Sequence, residues 1–150
     1  MKMYSVQGLS ASGTGPQTAW NIIGSTAIRA LIKRWRLGFR TNPNSTDQQV
    51  RVAIGNTTAA GTAGSAPTPK PNDPQDVAAV ATAGITHSAE PTYGATFFLD
   101  NDCNQRANLA DVLDDGFEFC GAATASNGVA AKMILVTAAI VMSGPVHWRE

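Results

Sequence analysis

His87, Ser88 and Glu90 lie within four positions of one another, in the stretch ITHSAEPTY. A hydroxyl, a base and an acid are the ingredients of nucleophilic catalysis. That chemistry needs a hydrogen-bonded relay in space, in which the base reaches the nucleophile and the acid orients the base. Neighbours along one loop do not supply it. The second histidine, His147, stands between Val146 and Trp148. Strand alternation turns it to the face opposite those apolar neighbours, an exposed or rim position. Asp111, Asp114, Asp115 and Glu118 form the acidic cluster. A calcium loop of the EF-hand kind needs oxygens at alternate positions, a central glycine and a distant glutamate, and DVLDDGFEF lacks that spacing. DDG reads instead as a hairpin turn with Gly116 at positive φ. Cys103 and Cys120 have no histidine or cysteine at ligand spacing. They read as two reduced thiols in or near the core, with a disulfide between neighbouring strands as the alternative. GTAG at 61–64 lacks the GxxxxGK[ST] pattern of a phosphate cradle. The expectation is a protein without catalytic activity, cofactor or structural metal.

Five of the eleven basic residues, Arg29, Lys33, Arg34, Arg36 and Arg40, fall within 12 positions. Two readings stand side by side. The charges belong to a solvated strand face that blunts edge pairing, or they form a basic patch for an acidic partner surface. On the second reading Arg34, Arg36 and Arg40 are candidate contacts. The chain as a whole carries 11 basic and 11 acidic residues. A net charge near zero gives no case for nucleic-acid affinity, which rests on phosphate neutralisation. It also gives little repulsion between copies, so self-association as a dimer or trimer is expected. Trp20, Trp35 and Trp148 are the candidate platforms if the chain binds sugars, although alternation turns Trp35 and Trp148 towards the core.

The elements that must position these residues read as strands. Lys2 to Leu9 begins with alternation, and TAWNIIGS is too apolar to sit free in water. Residues 1–26 form an N-terminal arm or strand region. Ala27 to Arg40 (AIRALIKRWRLGFR) fits a helix with Ile28, Leu31, Ile32, Trp35 and Phe39 on one face. It also fits a strand in which Ile28, Ala30 and Ile32 alternate in one phase and Trp35, Leu37 and Phe39 in the other. The strand is preferred, and its change of phase requires a bulge or bend near Lys33. Gln48 to Ile54 alternates again. Further short segments follow at Gly94–Leu99, Gln105–Leu113, Phe117–Cys120, Gly128–Val136 and Ala138–Trp148, separated by DNDCN, LDDG, ATASNG and SGP. Eight or nine such strands in a chain of 150 residues predict one all-β domain, an antiparallel β-sandwich of jelly-roll type. The longest apolar run, Met133 to Met142, is too short to span a bilayer, and the N-terminus lacks a secretory h-region, so no membrane partner is expected.

Between the two halves lies Thr58 to Gly84, 27 residues with four of the eight prolines. Pro67, Pro69 and Pro71 bias PTPKP towards polyproline II, and Pro74 follows Asp73. The wider span 57–91 reads as an extended loop or assembly arm, because a stiff arm loses little entropy on docking to a neighbour. The four prolines join the arginines as candidate partner contacts.

The succession TAAGTAGSAPTPKPNDP…VATAGITHSAEPTYGA, then NQRANL, ATASNGVAAK and a terminal VHWRE, resembles a group of small virion proteins of tailed bacteriophages. In that group a GTAGT-type turn leads into a proline loop and a DP step. An ATAG…H(S/T)AEPTYTA segment, an NQRA strand and an ATAANG turn follow, and the last strand ends in aromatic and acidic residues. The matching positions here are Gly61–Gly64, Asp73-Pro74, Ala81–Gly84, His87–Tyr93, Asn104–Ala107, Thr124–Gly128 and His147–Glu150. The likeness spans about residues 45–150. The GGEL-like turn of the group is replaced here by DDGFEF. The resemblance implies a virion structural protein with a β-sandwich fold, of the capsid decoration or cement type. It would be synthesised in the host cytoplasm, carried on the outer capsid surface, and partnered by the major capsid protein. A tail or fibre component, including a host-carbohydrate-binding module, is the alternative.

Overall fold

The computed structural model describes residues 2–40 and 47–150, together with the backbone but not the side chain of Leu135. Eleven strands follow in chain order: β1 (Met3–Leu9), β2 (Gln17–Ile23), β3 (Leu31–Phe39), β4 (Gln49–Ala59), β5 (Lys70–Pro71), β6 (Thr82–Gly84), β7 (Thr92–Asn104), β8 (Leu109–Val112), β9 (Phe119–Cys120), β10 (Gly128–Leu135) and β11 (Met142–Arg149). No helix occurs among the described residues. The strands form two antiparallel sheets, the larger in the order β5-β1-β11-β3-β8 with β9 also on β3, the smaller in the order β6-β2-β10-β4-β7. Setting aside the short β5, β6 and β9, the chain alternates between the sheets and then folds back. First pairs with last, and second with next to last, in the interleaved order of a jelly roll.

Alternation explains the core. On β1, Tyr4, Val6 and Gly8 point inward, and on β11 their register partners Trp148, Val146 and Gly144 do the same. Tyr4 and Trp148 meet at 6.1 Å between ring centroids. From the smaller sheet, Trp20, Ile22, Val50, Val52, Ile54, Val129 and Met133 complete the packing. Close approach in the middle of the larger sheet depends on Gly144, where a Cβ would overlap the Arg36 carbonyl oxygen.

The change of phase expected near Lys33 is present. His147 pairs with Arg34, but the next residue of β11, Trp148, pairs with Ile32, so Lys33 is the extra residue of a bulge. Ile32 on one side and Trp35 and Leu37 on the other can then all face the core. Gly116 has φ of 92°, and Phe117 N donates to Asp114 O at 3.0 Å, so DDG is a turn with the expected positive φ. It does not close a hairpin, because the flanking strands β8 and β9 both pair with β3 rather than with each other.

Several boundaries differ from expectation. DNDCN is not a turn. It is the last five residues of β7, which pairs with β4 from Ile54↔Leu99 to Gln49↔Asn104. Polar residues suit it because β7 is the edge of its sheet, paired on one side only. NQRA accordingly is the end of β7, at Asn104, and the turn that follows it, rather than the start of a strand. The apolar run Met133–Met142 leaves β10 in one sheet and enters β11 in the other. β7 is also bulged, since Ile54 pairs with Leu99 and Gly55 with Phe97, leaving Phe98 over. Phe98 stacks on Phe119 of β9 at 4.8 Å and closes one side of the sandwich.

Of the two readings of residues 1–26, arm or strand region, the strand reading holds, for β1 and β2 are integral strands of the two sheets. The proline-rich segment is not free. Lys70 and Pro71 pair with Ser5 and Tyr4, Asn72 N donates to Met3 O at 2.8 Å, and the Tyr4 hydroxyl donates to Val77 O at 3.1 Å. Thr82–Gly84 extend the smaller sheet along β2. Ala81 and Ala83 are buried. The segment borders both sheets of its own domain, and only its outer surface remains for a partner.

Candidate interaction surface

The side of the larger sheet turned away from the core is built by alternation. One row crosses the strands as Lys70 on β5, Ser5 on β1, His147 on β11, Arg34 on β3 and Val112 on β8. Two residues along, Gln7 and Pro145 pair across β1 and β11, and Arg36 and Ala110 across β3 and β8. A groove of about 400 Å³ is lined by Ser5, Gln7, Pro67, Thr68, Lys70, Pro145 and His147, with Val6 beneath. A second, of about 230 Å³, is lined by Arg36, Gly38, Phe39, Asn108, Ser143, Gly144 and Pro145. Pro145 is common to both.

The sequence-derived contact residues separate in space. Arg34 and Arg36 are exposed on this face, and Pro67 joins them as a groove wall. Arg40 lies at the end of β3, where its Nε donates to the Ser143 hydroxyl at 3.0 Å. None of the three arginines, nor Lys70, has an ion pair among the described residues. Pro69 lines a different depression of about 210 Å³ with Ala79, Ala81 and Ala83. Pro71 is held in β5, and Pro74 sits in an exposed turn where Gln75 N donates to the Asp73 carboxylate at 2.9 Å. The prolines thus serve several local purposes and do not form one strip.

The other basic residues of that stretch have different roles. Lys33, displaced by its bulge, meets Asp115 at 2.6 Å and Glu118 at 3.6 Å, and Arg149 meets the same two carboxylates at 3.1 and 2.5 Å. Two of the four acidic residues of the cluster, Asp115 and Glu118, therefore belong to an ion-pair group. The Lys33 ammonium holds Asp115 below the ordinary carboxylate range. Backbone hydrogen bonds do the same for Glu118. Cys103 is buried and Cys120 half-buried, and both are free thiols. Trp20, Trp35 and Trp148 are 0%, 3% and 0% exposed, so no tryptophan offers a platform to a sugar.

A buried polar cluster lies on the opposite side, under the segment 85–93, and the sequence reading missed it. The Thr18 hydroxyl donates to the Glu90 carboxylate and lies 2.8 Å from the Tyr93 hydroxyl. The Lys132 ammonium sits 3.9 Å from the centre of the Tyr93 ring. His87 is buried beside Gly84, with no partner for Nδ1 among the described residues. The members come from β2, β7, β10 and a loop, so no spacing along the chain announces them. The only signal was the density of polar residues in HSAEPTY. Ser88 and His87 do not form a nucleophile–base pair: Ser88 is exposed and its hydroxyl bonds Thr62 O. The cluster fastens the loop to the sheet.

Burial lowers the His87 pKa, while the Glu90 charge and the Thr18 backbone act against that shift. Burial and the charge of Arg34 lower that of His147. In both cases the unfolded chain binds the proton more readily. Stability is therefore intact above the ordinary histidine value of about 6.5 and declines as pH falls from there towards the folded-state values. Asp115 and Glu118, with depressed pKa values, add a second loss only as pH falls below the ordinary carboxylate range. Melting temperature should drop between pH 7 and 5, and the drop should shrink in His87→Gln. A His87→Gln profile that superimposes on the parent's would sink this assignment.

Comparison with protein-family models, curated proteins and solved structures finds no match.

Proposed function

We propose that this chain is a virion structural protein of a tailed bacteriophage, a decoration or cement protein that binds the outer capsid surface and bridges capsomers. The observation that carries this reading is where the residues of the family resemblance lie. Gly61–Gly64 and His87–Tyr93 are far apart in sequence but are laced together by backbone hydrogen bonds. Thr62 N donates to Ala89 O at 2.8 Å and Ser88 N to Thr62 O at 2.9 Å. Gly61 has φ of 69°, and a Cβ there would overlap Ala89 O. Asp73-Pro74 forms the turn after β5, and Glu150 at the end of VHWRE binds Val80 N and Ala81 N at 2.9 Å each. Several of the shared residues are thus ones that hold the long segment in place, which is what a common fold would preserve.

A jelly roll also serves as a viral capsid domain, though that is an analogy of fold alone. A rigid sandwich whose long loop is docked offers a preorganised surface at low entropic cost. In this reading the partners are the major capsid protein and other copies of the chain. The tail or fibre alternative loses its sugar platforms to the buried tryptophans. The test is to add purified protein to capsids that lack it and to sediment the particles. The expected result is saturable binding at a fixed ratio to the capsid protein, with density on the outer surface of the particle. Binding to tails alone, or to no particle, would reject the reading.

A further inference from the structure

We propose that the two grooves on the outer face of the larger sheet form one cationic trough that receives an extended acidic segment of a partner protein. Neither groove is lined by a carboxylate, although the chain carries as many acids as bases. Lys70 and His147 border the first, Arg36 lines the second, and Arg34 lies in register with His147 between them. Their register partners, Val112 and His147 for Arg34, Ala110 for Arg36 and Ser5 for Lys70, include no carboxylate. Placing Arg34, Arg36 and Lys70 on one face without an ion pair among the described residues leaves that charge to be met from outside.

The remaining lining says what kind of anion fits. Pro67 and Pro145 are apolar walls, and Ser5, Gln7, Thr68 and Asn108 are neutral hydrogen-bonding groups suited to peptide amides. From β5 to β3 the row spans three strand spacings, about 14 Å, which an extended peptide crosses in four or five residues at ~3.3 Å each. A single-stranded nucleic acid would want aromatic platforms along such a groove. The exposed aromatics, Phe98 and Phe117, line neither groove, and the one aromatic in the lining, Phe39, is half-buried. Charge complementarity therefore points to a short run of Asp or Glu. Taken with the proposed function, on which that placement rests, the run belongs to a capsid surface loop.

Anisotropy of fluorescein-labelled hexaglutamate, titrated with the intact protein at low salt, tests the trough. Hexaglutamine and hexathymidylate serve as comparison probes. Binding of hexaglutamate should weaken at least tenfold in the Arg34→Glu/Arg36→Glu pair and in Lys70→Glu, and should fall with added salt. Arg106→Glu, whose arginine pairs with Asp47 and lines neither groove, should leave it unchanged. Arg34→Gln/Arg36→Gln, which removes charge without reversing it, should lose affinity in the same direction and guards against misfolding of the reversed pair. Hexathymidylate binding as tightly as hexaglutamate, no binding of hexaglutamate, or binding untouched by the Arg34 and Arg36 changes would overturn the proposal. A parent that binds the peptide but adds to no capsid upholds the trough and removes the capsid reading. A variant deaf to the peptide that still decorates capsids removes the trough's place in assembly.

Discussion

Replacing residues 58–84 by a short Gly-Ser bridge should unfold the domain or lower its melting temperature by tens of degrees. Read as a free arm, the segment could be removed at little cost, since loop-closure entropy changes slowly with length. The docked geometry reverses that expectation. The deletion removes the pairing of β5 with β1 and of β6 with β2, the Ser65–Ile85 bridge, and the bonds of Tyr4, Thr62, Val80 and Ala81. It also uncovers the floor beneath Ala81 and Ala83. At about 0.5–1.5 kcal/mol net for each hydrogen bond, the sum reaches the ~5–15 kcal/mol that holds a typical domain together. Replacing Pro67, Pro69 and Pro71 by alanine is a much smaller change, about 0.4–1 kcal/mol per compatible proline through the unfolded chain. Thermal denaturation followed by circular dichroism separates the cases. A deletion variant that melts within a few degrees of the parent would return the segment to the status of a dispensable arm.

Most of the fold was legible because the sheets are built from period-two segments with distinct turn chemistry between them. The clearest instance is β3. Its two phases of alternation could be reconciled only by an irregularity at Lys33, and the bulge is there. What was not legible depended on long-range partners. Asp100 to Cys103 looks like a turn from composition, but β4 supplies a partner strand, and Arg51 pairs with Asp100. The proline-rich segment has the local chemistry of an extended chain, and nothing in its own residues says that β1 and β2 will accept it. The same limit applied to the surface. The exposed arginines were visible in the alternation of Arg34 and Arg36. The groove beside them needed Lys70 and Pro67, some 30 positions away, to be brought alongside Ser5 and His147.

Gln48→Leu should be among the most destabilising single substitutions outside the apolar core, although the sequence marks Gln48 only as one polar residue in QQVRVAI. Its side chain is buried just before β4 and holds together three parts of the chain. Nε2 donates to Gln105 Oε1 at 3.1 Å and to Ala138 O at 3.2 Å. Oε1 accepts from Thr137 N at 2.7 Å, Thr137 Oγ1 at 2.9 Å and Ala138 N at 3.0 Å. Thr137 and Ala138 lie where the chain crosses from β10 in one sheet to β11 in the other, and Gln105 follows β7. Leucine has similar bulk but leaves the two backbone amides and the Gln105 carbonyl without partners. A fully buried group so stranded costs about 1–3 kcal/mol, but Thr137 is exposed and Ala138 only half-buried, so water takes up part of that cost and a loss of roughly 2–4 kcal/mol is expected. Gln48→Glu keeps an acceptor for Thr137 and Ala138 but surrenders the donor to Gln105 and Ala138 O, and should be intermediate at neutral pH. Equilibrium unfolding in urea, compared at constant m-value, reads both. A Gln48→Leu variant within about 1 kcal/mol of the parent would mean that the crossover is held by its apolar neighbours Val136 and Ile140 and that water satisfies the amides instead.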